Sequence, residues 1–222
     1  MFQTDQPSQA VALRTTLGRI ALPAAPLCAL LAFAAFNPVN DDAKPARQIA
    51  QASAHMGSLL AYFAFYLAFG VLNIPLVIGL AGSIRERGAA WANAGAVLGV
   101  LGSVAVILGA ARRAFMWVLL KSDPGHAVTV LTQFDHSVYA VIVVLILGIP
   151  LGYVTLAIAG YRAGIMGKPV VALLALLFVS FFASLNVVAA ALGVVAFGWT
   201  ARLLTARRED RPNAPISLEA AH

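Results

Sequence analysis

The stretch Pro169–Thr200, PVVALLALLFVSFFASLNVVAAALGVVAFGWT, contains no charged residue, and its reading decides how often the chain crosses a membrane. As one straight helix it would be about 48 Å long at about 1.5 Å per residue. Fitting that into a hydrocarbon core of about 30 Å needs a tilt of roughly 50°, beyond the usual range of about 0–40°. As a hairpin turning at Ser184-Leu185-Asn186, each arm would have about 15–18 residues, close to the minimum for a crossing. Length leaves both readings open.

The rest of the chain places this stretch in a membrane protein. Of 222 residues, 61% are hydrophobic and 11% charged, and the mean hydropathy is +0.86. A soluble globular chain has about 25% charged residues, so too few charges remain here to cover a surface facing water. That excludes a soluble enzyme domain, a disordered tail protein and a disulfide scaffold, the last also because Cys28 is the single cysteine. The formal net charge of +6 does not point to nucleic acid, because Lys and Arg stand singly or in pairs between apolar runs and form no basic face.

Expected spans are 20–36, 56–84, 91–111 or to 120, 138–160, 169–183 and 187–204, within a transmembrane region 17–204. A polar N-terminus (1–16) and a polar tail (205–222) flank it. The first run has the basic start and Ala32-Phe33-Ala34 box of a signal peptide, but Pro23 and Pro26 interrupt its core, which favours an uncleaved span. Polar loops are expected at 37–54 and 121–133.

Charge distinguishes the span counts. With six spans and a cytoplasmic N-terminus, ten basic residues fall inside (Arg14, Arg19, Arg85, Arg87, Arg162, Lys168, Arg202, Arg207, Arg208, Arg211) and five outside (Lys44, Arg47, Arg112, Arg113, Lys121). Five spans with the same start give six against nine, and the inverted five-span arrangement nine against six. The positive-inside rule favours six. The expected fold is an all-α, polytopic helix bundle in a bacterial cytoplasmic membrane, both termini cytoplasmic, with the lipid bilayer as its surroundings. The aromatic residues suit interfacial belts: Trp117 and Tyr139 outside, Trp91, Tyr161 and Trp199 inside.

An internal echo points to a parallel two-helix repeat. Ile74-Pro75-Leu76 precedes Arg85-Glu86-Arg87-Gly88, as Ile149-Pro150-Leu151 precedes Tyr161-Arg162-Ala163-Gly164. Gln51 and His55 lie upstream of the first, Gln133 and His136 of the second. Pro75 and Pro150 are expected as helix kinks, static ones rather than hinges. Asn73, Ser180, Ser184 and Asn186 are candidates for hydrogen bonds between helices.

The candidate ligand-binding residues are Arg112, Arg113, His55, Asp135 and His136. If the third helix continues to Leu120, Arg112 and Arg113 lie about 12 Å inside its outer end. Charges at such depth face a cavity or a partner, with Asp135 and Asp123 as partners in reach. Neighbours on a helix diverge by about 100°, so only one of the pair is expected to point inward. If instead the helix ends at Ala111, both are interfacial anchors.

His55 and His136 invite a haem or metal, but measured from their prolines they differ by about 9 Å in depth. No metal-ligand motif accompanies them, and no metal or cofactor is expected. No catalytic triad, phosphate loop or carboxylate pair stands out either.

Three function classes remain. The expected one is a non-catalytic membrane scaffold or partner subunit, acting with another membrane protein or as a homo-oligomer. The second is a carrier or binding protein for a small anionic or amphipathic compound, with Arg112 or Arg113 and the outer histidines lining an outward-facing cavity. The third is a membrane redox or lipid-modifying enzyme using His55, His136 and Asp135.

Overall fold

The computed structural model describes residues 9–40, 43–84 and 87–209. Residues 1–8, the tail from 210, and Asp41, Asp42, Arg85 and Glu86 lie outside the described residues, as do the side chains of Arg14, Arg19, Tyr139, Arg207 and Arg208.

Among the described residues all regular structure is helical. The order is α1 (Gln9–Leu31), α2 (Pro45–Ala54), α3 (Met56–Ser83), α4 (Ala89–Ser122), α5 (Ala127–Phe134), α6 (Ala140–Ile146), α7 (Gly148–Arg162), α8 (Lys168–Phe182) and α9 (Asn186–Glu209). Single π-helical segments, Ala32–Phe36 and Asp135–Tyr139, follow α1 and precede α6. Four stretches are long and apolar enough to cross a membrane: Met56–Ser83, Ala89–Ser122, Ala140–Arg162 and Asn186–Thr205. Two shorter apolar helices, Ile20–Phe36 and Lys168–Phe182, accompany them.

The long apolar stretch 169–200 is therefore divided. α8 stops at Phe182, Ser184 takes a left-handed φ of +57°, and α9 begins at Asn186. The Leu185 amide bonds back to the Ser180 carbonyl at 2.9 Å and the Ser184 amide to that of Phe181 at 3.1 Å. These bonds pair the Ser180 and Phe181 carbonyls at the helix end. A left-handed residue between two apolar helices was not readable from hydropathy.

Packing between neighbours runs α1–α3–α4–α7–α8–α9 and back to α1, with α6 beside α4, so the apolar helices close into a ring. Small residues set its tightest contact. Gly95, Gly99 and Gly102 of α4 meet Gly148 and Gly152 of α7. A Cβ at Gly152 would lie 2.7 Å from the Gly99 nitrogen, and one at Gly95 would lie 3.0 Å from the Gly152 oxygen. With lipid tails as apolar as leucine, such backbone proximity is what drives helix association in a membrane.

Several expectations need correction. The stretches 37–54 and 121–133 are not simply polar loops, because they contain α2 and α5, which pack on each other and on α4 across one end of the ring. α2 reads as loop because its sequence, PARQIAQASA, is polar, but Pro45 in its first turn starts it. α1 begins at Gln9 and α9 continues to Glu209, so helix extends into both segments expected to be polar flanks. Pro75 sits inside the unbroken α3, whereas Pro150 lies in the first turn of α7, just after an interruption at Leu147. A proline has no amide to bond the carbonyl four residues back, here that of Ile146 at the end of α6, so the break at Leu147 within the apolar stretch Ala140–Arg162 lies where that bond is missing.

Candidate functional site

α4 is one helix through Arg112 and Arg113 to Ser122, and the expectation that only one arginine could turn inward is overturned. Both are 3% exposed. Their directions diverge as helix geometry requires, but α3 covers one face of α4 while α2 and α5 cover the other.

Arg112 faces this cap. Its Nε donates to Asp135 Oδ1 and its Nη2 to Asp135 Oδ2, both at 2.8 Å, a bidentate pair. Nη2 also donates to Gln48 Oε1 of α2 at 3.0 Å. Gln48 in turn donates from Nε2 to the Ala43 carbonyl at 2.8 Å, which ties the α2 entry to the cluster. Asp135 is delivered by the π-helical turn Asp135–Tyr139, an extra residue per turn that re-aims the chain between α5 and α6. The cluster therefore stitches α2, α4 and the α5–α6 junction together.

Arg113 faces α3, with its guanidinium carbon 5.2 Å from the centre of the Tyr62 ring. From Tyr62 an aromatic series leads inward: Tyr66 at 5.2 Å, then Phe69 at 6.3 Å, with Phe33 set edge-on to Tyr62 and Tyr66 at 6.1 and 5.5 Å. Met116 lies one turn on from the pair, with its Sδ 3.7 Å from Arg112 Nη1 and 3.8 Å from Arg113 Nη1.

The series ends at a partly open cavity of about 60 Å³ between the helices of the ring. Phe33, Tyr66, Phe69, Tyr153, Phe181 and Phe197 line it, and α4 adds Val106. Asn186, at the α8–α9 turn, stands on its wall. Beside it lies a buried polar chain at mid-helix depth. The Tyr153 hydroxyl donates to Asn73 Oδ1, Asn73 Nδ2 donates to Ser103 Oγ at 2.8 Å, and Ser103 Oγ donates to the Gly99 carbonyl at 2.7 Å. The chain satisfies every member while joining α3, α4 and α7. Tyr153→Phe removes the donor to Asn73 and is expected to lower stability by about 1 kcal/mol. A thermal melt in detergent measures it, and unchanged stability would mean that the bond contributes nothing net.

The remaining candidates lie elsewhere. His55 is exposed at the α2–α3 junction and His136 is exposed in the π-helical turn. None of Arg112, Arg113, His55, Asp135 and His136 lines the cavity. Asp123 bonds His126 at 3.0 Å rather than either arginine. This hydrogen bond holds the exposed Asp123 carboxyl below its ordinary range. Among the described residues no group of three or more His, Cys, Asp or Glu side chains is placed to hold a metal ion. Gln48, Tyr62, Ser103 and Tyr153 were not singled out by sequence reading. Ser103 and Tyr153 are ordinary in a membrane helix, and only their convergence on Asn73 marks them.

Comparison with known protein families, characterised proteins and solved structures gives no match for this chain.

Proposed function

We propose that the chain is a six-span protein of the bacterial cytoplasmic membrane, with both termini cytoplasmic, that binds a small apolar or amphipathic compound inside its helix ring. The observation carrying this reading is the cavity at the meeting point of α1, α3, α4, α7, α8 and α9, walled by six aromatic rings. Concave apolar sites between bundled helices are where membrane and soluble bundles alike take ligands. Its volume of about 60 Å³ is well below the roughly 300–1,000 Å³ of a drug-sized pocket. It suits a slim group, such as an alkyl segment, rather than a ring or a bulky headgroup, since an apolar cavity that takes benzene measures about 150 Å³. An apolar lining of this kind favours apolar guests.

The geometry moves the ligand away from the arginines. Arg112 already holds a carboxylate in bidentate fashion, so an anion would have to displace Asp135. Arg113 instead bears on the cavity through Tyr62 and Tyr66. The scaffold reading rests on apolar exterior residues such as Val97, Val144 and Val179, and a lipid surround requires those in any case.

Xenon under pressure is the probe for the cavity. It is expected to raise the melting temperature of the wild-type protein in detergent, and to leave Ala190→Val, which fills the cavity wall, unchanged. An equal shift in both proteins would mean partition into the micelle and would sink the binding reading. Topology has its own measurement: green fluorescent protein fused at the C-terminus is expected to fluoresce, and alkaline phosphatase inserted after Ser122 to be active. The reverse pattern would overturn the six-span arrangement.

A further inference from the structure

We propose that Arg87, Trp91 and Arg162 form a binding site for the phosphate of an anionic phospholipid in the adjoining leaflet. The three line one open depression at the end of the ring opposite the Arg112 cluster, together with Gly88. They come from turns far apart in sequence, α3–α4 and the end of α7.

Their meeting is enforced by the backbone. Gly88 has φ +99°, and a Cβ there would lie 2.9 Å from the Ala159 oxygen of α7. Only glycine allows both that conformation and that approach. The contact brings Arg87 beside the last turn of α7, which carries Arg162 three residues after Ala159. The second turn is built similarly: Gly164 has φ +68°, and the Ile165 amide bonds to the Gly160 carbonyl at 2.8 Å. The Arg-Gly and Arg-Ala-Gly endings of the two echoed segments thus become the two sides of one site.

The chemistry selects an anion held at a membrane surface. Arg87 and Arg162 are exposed, and neither has an ion pair or hydrogen bond among the described residues. Two guanidinium forks converging on one depression match the oxygens of a phosphate. Gly88, which lines the depression, is the N-cap of α4 and brings no side chain to bond the first α4 amides, so the electropositive end of that helix adjoins the site. Trp91 is 48% exposed, and a half-exposed indole beside basic residues belongs at headgroup level. Basic pockets between membrane helices take anionic headgroups in this manner.

The test uses the full chain in phosphatidylcholine nanodiscs with increasing phosphatidylglycerol, read by native mass spectrometry of retained lipid. Wild-type protein is expected to retain phosphatidylglycerol over phosphatidylcholine. Arg87→Gln and Arg162→Gln should each weaken this about fivefold, and the double variant about thirtyfold. Lys168→Gln/Arg202→Gln removes the same charge from exposed residues outside the depression and is expected to change retention less than about threefold. Equal losses in the two double variants would show only general surface attraction and overturn the site. Competition by inorganic phosphate at millimolar concentration would identify a free-anion site and also overturn the lipid assignment. Each arginine is exposed, so wild-type melting of the variants in phosphatidylcholine separates lost binding from lost fold.

Discussion

Gly102→Leu is expected to prevent the protein from folding into a monodisperse, thermally cooperative species. A Cβ at Gly102 would collide with the Ile149 nitrogen and lie 2.6 Å from Ile149 Cγ1 and 2.9 Å from the Gly148 carbonyl carbon. The first and last of these are backbone atoms of α7, which cannot swing aside as a side-chain tip does. Relief requires α4 and α7 to separate, and that also pulls Gly95 and Gly99 from Gly152. Overpacking of a close-packed contact costs about 1–3 kcal/mol and occasionally more. For leucine against backbone the loss should be about 3 kcal/mol or greater, a large share of a stability of about 5–15 kcal/mol. Gly102→Ala should lose about 2 kcal/mol for the same reason. Gly198→Ala is the matched control, since a Cβ there meets nothing within 4 Å. It should be neutral or stabilising by up to about 1 kcal/mol through helix propensity. Size-exclusion profiles and thermal melts read all three, and a well-folded Gly102→Leu protein would refute the close α4–α7 contact.

Asp135→Ala should produce the second large loss, about 3 kcal/mol. The substitution strips the buried Arg112 guanidinium of its bidentate carboxylate, while the Asp135 side chain itself is 21% exposed. The penalty comes mainly from the charge left behind rather than from the attraction removed. The double variant Arg112→Met/Asp135→Ala should therefore be more stable than Asp135→Ala alone, by about 1 kcal/mol or more. Equilibrium unfolding in mixed micelles gives both numbers. A double variant that simply adds the two single losses would show that the residues do not act as a pair. The cap of α2 and α5 should also loosen in Asp135→Ala, seen as faster amide exchange over 45–54 and 127–134.

Much of the helical architecture was legible because hydropathy reports what a membrane demands. Four apolar stretches emerge as long helices, and the charge-free stretch 169–200 turns where its polar residues cluster. Asn73 was recognisable as a buried polar residue in need of a partner. The identity of that partner was not, because Ser103 and Tyr153 are 30 and 80 positions away. The arginine pair was visible as an oddity at depth, and Asp135 as a partner in reach. Gln48 was hidden in a segment that reads as loop, so the cover over the second arginine could not be foreseen. Treating α4 as a lone helix implied that one arginine must face lipid or water. Two further helices lying across its end remove that constraint.

The chain by itself determined that this is a helical membrane protein, since apolar runs without charge can satisfy their backbone groups in lipid only by helix formation. Tertiary structure alone decided which residues meet. The glycines of α4 and α7 became a contact, Arg112 a carboxylate-bound strut, and six aromatic rings the walls of one cavity. Hydropathy is a property of each residue against its solvent, whereas a site is a property of residues against each other. Helices that look interchangeable to lipid are distinguished only by the shapes and hydrogen bonds that join them.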